Sequence, residues 1–176
     1  MEEVVLVDEN DSEVGTMEKM AAHREGRLHR AFSVLVYNSK GDLLIHRRAA
    51  SKYHSAGLWT NACCSHPRPG ENIRDAAVRR LKEEMNILVE PEFLYKFVYR
   101  INLEDSLVEH EMDYVFRATF DGEPSPNANE VQAWRFVSVD ELLRDVAGSP
   151  FKYTYWFRII LDRRYPGLLE AIWHSK

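Results

Sequence analysis

The 176-residue chain lacks any apolar run approaching the roughly 18 residues a membrane helix needs, so no membrane-spanning segment is expected. Its acidic start, Met1-Glu2-Glu3, is unlike a secretory signal, and the final His174-Ser175-Lys176 lacks the leucine of a peroxisomal address. The expectation is a cytoplasmic protein with no membrane partner. There are only two cysteines, Cys63 and Cys64, and they are adjacent. Neighbouring thiols cannot close a structural loop, and a reducing compartment suits them. Positive charge is not in excess either. A formal net charge of −5 gives no general attraction to nucleic acid, so an anionic ligand needs a local basic cluster. Repeats, low-complexity tracts and long linkers are absent, so residues 1–176 are expected to form one domain.

What is present is the material of a packed globule: 45% hydrophobic, 29% charged and 11% aromatic residues. A chain of this length buries roughly two-thirds of its unfolded surface. Val4–Val7 predicts a short strand before the turn-rich Asp8-Glu9-Asn10-Asp11. Met17 to His23 has a helical look. Ala31–Tyr37, the turn Asn38-Ser39-Lys40-Gly41-Asp42 and Leu43-Leu44-Ile45 predict a hairpin. Glu71 to Met85 predicts a helix, because Ala77, Leu81 and Met85 recur every four residues with no Pro or Gly between them. Phe93–Leu103 and Leu107–Phe120 predict long strands, and 122–129 a loop with two prolines. Trp134–Val137 predicts a strand and Val139–Val146 a helix capped by Ser138; Tyr153 to Leu161, and the chain after Pro166, predict amphipathic helix. Strands and helices mix without strict alternation, which points to an α+β fold: a mixed sheet sandwiched between helices.

The segment Trp59-Thr60-Asn61-Ala62-Cys63-Cys64-Ser65-His66-Pro67 places two thiols and an imidazole on what reads as a tight turn. The plain alternative is a pair of small buried hydrophobes. Glu109 and Glu111 share one face of their strand, and two like charges side by side need solvent or a shared cation. His23, His29 and His66 could join them around one divalent ion, since nitrogen and oxygen donors suit Mn²⁺, Mg²⁺ or Zn²⁺. His46, His54, His110 and His174 carry no such signal. In the helix, Arg79/Glu83 and Arg80/Glu84 are four apart, which allows simple surface pairing or a Glu84 that holds Mg²⁺ bound to phosphate oxygens. Lys19, Arg47, Arg48 and Lys52 are placed to complete a basic pocket for a diphosphate.

Ser65 to Ile87 resembles the Nudix box, Gly-x5-Glu-x7-Arg-Glu-U-x-Glu-Glu-x-Gly-U with U aliphatic. Glu71, Arg79, Leu81, Glu83, Glu84 and Ile87 match. Ser65, Arg80 and Asn86 depart from it, and Arg80 exchanges a carboxylate of the hydrolytic metal cluster for a cation. Together with Trp-Thr-Asn and Cys-x-His-Pro, these features resemble the type 1 isopentenyl-diphosphate isomerase family, from about Lys19 to Trp156. The resemblance implies a Nudix-type sheet sandwiched between helices and a small-molecule diphosphate substrate. It implies catalytic roles for Cys64, Glu111, Tyr99 and Trp156, and metal ligation by His23, His29, His66, Glu109 and Glu111. It further implies diphosphate-bound Mg²⁺ held through Glu84, and phosphate contacts from Lys19, Arg48, Lys52 and Arg80. Cys63 has no role by this resemblance, and Ser65 is expected to constrain the backbone of its turn.

The reaction so implied moves a double bond, converting isopentenyl to dimethylallyl diphosphate. Cys64 and Glu111 supply the two proton-transfer groups, Tyr99 a relay and the Trp156 indole cation stabilisation. Which of the two gives the proton stays open, as do the metal's identity and the choice between monomer and homodimer. The alternatives are a Nudix pyrophosphohydrolase of a nucleoside diphosphate derivative, and a non-catalytic binding member.

Overall fold

The computed structural model describes residues 2–165 apart from 53, 104 and 105; the helix expected after Pro166 lies outside these. Nine strands run as β1 (Glu3–Val7), β2 (Glu13–Glu18), β3 (His29–Tyr37), β4 (Leu43–Arg48), β5 (Trp59–Asn61), β6 (Cys63–Ser65), β7 (Glu92–Asn102), β8 (Val108–Thr119) and β9 (Val131–Val137). The helices are α1 (Lys19–Glu25), α2 (Ile73–Met85), α3 (Val139–Gly148) and α4 (Tyr155–Arg164), with a 3-10 turn at Pro150–Lys152. No described helix is long and apolar enough to cross a membrane.

The sheet is mixed and branches at β3. That strand pairs in parallel with β8 from His29↔Glu111 to Tyr37↔Thr119, and antiparallel with β6 from Phe32↔Ser65 to Val34↔Cys63. β7 and β8 form a long antiparallel pair that aligns Tyr99 with Glu111. The predicted hairpin forms, but β3 and β4 share only the register pair Tyr37↔Leu43 before β4 turns to β5 and β9.

Strand alternation sorts β3 between two cores. Phe32, Val34 and Val36 face α2, packing with Ala76, Ala77, Leu81 and Met85. Leu35 faces the other way, with Val115 and Phe97, against Leu142, Leu143, Phe157 and Ile160 of α3 and α4. Helices thus cover both faces, as the composition of the elements predicts. Towards the start of β3 and β8 the same face turns polar, with Ser33 and His29 before Leu35 and with Asp113, Glu111 and Glu109 before Val115. That change turns one stripe of the sheet into a site.

Several boundaries differ from expectation. Met17 and Glu18 belong to β2, and α1 starts at Lys19, because the Glu18 carboxylate accepts from the amides of Met20 and Ala21 and so caps the helix there. Glu71 lies outside α2, whose cap is Asn72. Tyr153 and Thr154 precede α4 rather than belonging to it. The Cys63–Ser65 segment is not a turn but a short strand on β3. Ser65 therefore occupies extended backbone, where its Cβ is no constraint. Asn86, by contrast, stands where the Nudix box has glycine and takes a left-handed conformation (φ 54°) at the end of α2. Asn tolerates that conformation better than most residues, so the exchange keeps the helix end that glycine would give.

Candidate active site

The polar end of the stripe carries His29 on β3 and Glu109 and Glu111 on β8; α1 adds His23, and the chain after β6 adds His66. All five are buried. The His66 Nε2 lies 2.9 Å from Glu111 Oε1, and the His29 Nε2 3.5 Å from the same oxygen. The His23 Nε2 lies 3.5 Å from Glu109 Oε2. His23 Nδ1 and His29 Nδ1 each sit 2.8 Å from a backbone carbonyl, of Lys19 and Arg27. A carbonyl can only accept, so each Nδ1 carries the proton and each Nε2 aims its lone pair at the cluster.

Single donor atoms of His23, His29, His66 and Glu111 all lie within 4.8 Å of one another. His29 Nε2 and Glu109 Oε2 are buried without a hydrogen-bond partner among the described residues. Burying such atoms together is costly unless something positive sits between them. The donor set and its spacing fit one divalent cation. Burial lowers the His66 pKa to about 4 despite the attraction of Glu111. Burial also pushes Glu111 upward, but hydrogen bonds and charge from His29 and His66 outweigh it and hold the carboxyl well below its usual range. A neutral imidazole beside a carboxylate is the protonation state a metal ligand set requires.

Glu111 has two faces. Oε1 meets the histidines, while Oε2 accepts a 2.6 Å hydrogen bond from Tyr99. Burial and the charge of Glu111 raise the Tyr99 pKa well above the phenol range, so it is a neutral donor. One step further in, Asp113 accepts from Ser33 Oγ at 2.9 Å, and burial followed by the Glu111 charge pushes its carboxyl well above the usual range.

Cys64, Tyr99, Glu109, Glu111, His66 and Trp156 open onto one cavity enclosing about 490 Å³, part of it continuous with solvent. Lys19, Arg48, Lys52 and Arg80 stand on its wall. Cys64 pairs across the sheet with Ser33. Burial raises its pKa to about 12, against the pull of Arg48, so the group is a thiol at neutral pH. Cys63 points into the core with α2 and is fully buried. Trp156, at the start of α4, donates from Nε1 to Thr60 Oγ1 at 3.1 Å, and the Arg48 guanidinium carbon lies 5.3 Å from its ring centroid. Thr60 of the Trp-Thr-Asn motif thus orients the indole from β5.

Four placements add to or depart from what the sequence implies. Arg47 is exposed and donates to the Gly57 carbonyl instead of lining the cavity. Glu84 is buried behind the cavity wall, 2.5 Å from Arg80 Nη2. Burial raises the Glu84 pKa against the pull of Arg80. Lys52 also bonds a carboxylate, Glu130, at 2.5 Å. His54, which carried no signal in the sequence, lies at the cluster, its Nε2 3.0 Å from Glu109 Oε1. Nothing in its spacing marks it, because an irregular segment between β4 and β5 delivers it.

The NUDIX domain model matches residues 27–157. Isopentenyl-diphosphate Delta-isomerase 1 of Aromatoleum aromaticum is 49% identical over 92% of each chain. The isopentenyl-diphosphate Delta-isomerase of Burkholderia multivorans is 47% identical, again over 92% of each. Among solved structures, DR0079 from Deinococcus radiodurans superposes with a TM-score of 0.75 at 24% identity, covering 93% of this chain and 99% of its own. A MutT protein from Methanosarcina mazei gives 0.64 at 20% identity, over 77% of this chain and 91% of its own. These two likenesses bear on the fold alone. The sequence relatives, matched along nearly their whole length, decide the family: this chain carries a NUDIX domain and belongs to the isopentenyl-diphosphate Delta-isomerases.

Proposed function

We propose that the protein interconverts isopentenyl and dimethylallyl diphosphate in the cytoplasm, with Cys64 and Glu111 as its proton-transfer groups. The observation that carries this reading is that a neutral thiol and a Tyr99-bonded carboxylate open onto the same cavity, beside an indole and below a rim of cations. The membership of the family supports it.

Lys19, Arg48, Lys52 and Arg80 take the diphosphate at the rim, which leaves the five-carbon tail to enter beside Trp156. Lys52 and Arg80 exchange part of their pairing with Glu130 and Glu84 for phosphate oxygens, and Glu84 is then positioned for Mg²⁺ bound to that phosphate. Proton addition at one alkene carbon makes a tertiary cation-like centre, and proton removal on its other side completes the shift. Trp156 stabilises that centre by about 2 kcal/mol once the tail has displaced water from beside its ring. Arg48, over the same ring, has to give up part of this contact as the tail enters.

Each turnover leaves the two groups with exchanged protonation, one having given a proton and the other having taken one. Tyr99 hands protons to and from Glu111 Oε2. The divalent cation of the histidine and glutamate cluster, Mn²⁺, Mg²⁺ or Zn²⁺, fixes Glu111 and favours its anionic form when bound.

Phosphoanhydride hydrolysis fits less well. Arg79 and Arg80 tie up Glu71, Glu83 and Glu84, so the helix that bears the box offers ion pairs where a hydrolase needs unpaired carboxylates. The deciding experiment is incubation with isopentenyl diphosphate and a divalent metal in deuterated water. Dimethylallyl diphosphate carrying deuterium is expected. Phosphate or monophosphate release without deuterium uptake would sink the proposal.

A further inference from the structure

We infer that His54 is a sixth ligand of the divalent cation, completing an all-protein shell of four imidazoles and two carboxylates. The inference rests on the reading above that the cluster holds a cation, and goes beyond it in adding a donor from a different segment of the chain.

Two overlapping donor groups occur here: His23, His29, His66 and Glu111, and His23, His54 and Glu109. They share His23, whose Nδ1 is committed to the Lys19 carbonyl. Only its Nε2 lone pair is left, and one lone pair serves one ion. The two groups therefore meet at one ion; their six donors are not all within 4.8 Å of one another, so a shell of six needs His54 and Glu109 to close on the ion as it binds. Ligands about 2.1 Å from an ion stand about 3 Å apart when adjacent and about 4.2 Å apart when opposite. The contacts between neighbouring donors are close to that range: 2.9 Å for His66–Glu111 Oε1, 3.0 Å for His54–Glu109 Oε1, and 3.5 Å for both His23–Glu109 Oε2 and His29–Glu111 Oε1, with Glu109 turning one oxygen to each of its histidines.

The segment that carries His54 is built to hold it there. Arg48 Nη2 donates to the His54 carbonyl at 3.2 Å, and the His54 Nδ1 lies 3.2 Å from Ser55 Oγ. Ser55 adopts a left-handed conformation (φ 51°), uncommon for serine, and the Leu58 amide closes the turn onto its carbonyl at 3.3 Å. Trp156 meets the His54 ring edge-on, centroids 5.9 Å apart. With Nδ1 turned to Ser55, Nε2 is the atom presented to Glu109.

A shell of this kind has two chemical consequences. Four nitrogens favour first-row transition ions over Mg²⁺, and six positions disfavour Zn²⁺, which prefers four. A filled shell also leaves no position for a hydrolytic water, so this ion orients Glu109 and Glu111 and does not attack substrate.

Co²⁺ binding to the whole protein tests the assignment, read by calorimetry and by the visible absorption of the complex. The wild type is expected to show the weak bands of a six-coordinate ion. His54→Ala is expected to bind Co²⁺ about 10- to 100-fold more weakly, with stronger bands as one ligand is lost. His54→Gln keeps a donor for Glu109 but no imidazole, and is expected to behave in the same way. Thermal unfolding of each metal-free variant checks that the fold is intact. Unchanged affinity and bands in both variants would overturn the assignment. So would weaker binding with unchanged bands, which places His54 behind Glu109 instead of on the ion. If the wild type binds no Co²⁺, the cation site itself falls, and this ligand with it.

Discussion

Tyr99 donates a 2.6 Å hydrogen bond to one oxygen of Glu111, while His66 holds the other at 2.9 Å. The carboxylate is gripped from both sides, so its position owes nothing to its own rotamer freedom. Removing the Tyr99 hydroxyl leaves Oε2 without that partner inside the cavity. Tyr99→Phe is expected to lower kcat by about 10² while costing only about 1 kcal/mol of stability. Steady-state kinetics and urea unfolding of the same preparation check both. An unchanged kcat would reduce Tyr99 to a packing residue.

The two adjacent cysteines separate cleanly. Cys63 lies in the α2 core and Cys64 on the cavity. Cys64→Ala is expected to lose about 10²–10⁴ in kcat, whereas Cys63→Ala stays active with a modest loss of stability. Equal effects of the two substitutions on turnover would show that the wrong thiol has been chosen.

Arg80 joins the helix to the cavity by bonding Glu84 at 2.5 Å and Glu83 at 2.8 Å. Arg80→Ala strands the buried Glu84 carboxylate, for an expected loss of about 2 kcal/mol. If the residue also grips diphosphate, KM rises by about tenfold or more. A destabilised variant with unchanged KM would confine Arg80 to a structural part.

Alkaline pH should weaken the fold. The Cys64 thiol moves from its ordinary value of 9.0 to about 12, since burial disfavours the thiolate. A folded-state pKa above the unfolded one stabilises fully below about pH 9, and that contribution is lost as pH rises through about 12. Tyr99 is shifted in the same direction. Urea unfolding between pH 8 and 11 is expected to show a steeper decline for the wild type than for Cys64→Ala. Parallel declines would contradict the shift.

A chelator is expected to abolish turnover and to lower the Tm. Returning Mn²⁺ or Co²⁺ should raise the Tm in step with free metal concentration, because the ion binds only the folded cluster. A Tm indifferent to metal would argue that the cluster holds none.

Much of this site could be read from the chain because strand periodicity is rigid. Glu109 and Glu111 had to share a face, and the register with Tyr99 follows from the long β7–β8 pairing. The basic rim was visible as composition, but not Arg47, whose neighbour Arg48 takes the inward direction. Cys63, Cys64 and Ser65 resemble a turn because the motif is short; only the pairing with β3, which is remote in sequence, makes a strand of them. His54 was invisible for a related reason. Its position depends on a serine in left-handed backbone and an arginine contact, and neither has a periodic signature.

The parallel alignment of β3 with β8 brings His29 opposite Glu111. Parallel neighbours cannot be joined by a hairpin, and these two are linked by a long stretch of chain that supplies β4 to β7 and α2. A cation held there would draw its donors from α1, β3, the chain after β6 and β8, which the folded sheet brings together. Metal affinity would then report on completed topology, since an incompletely paired sheet lacks the full set of donors.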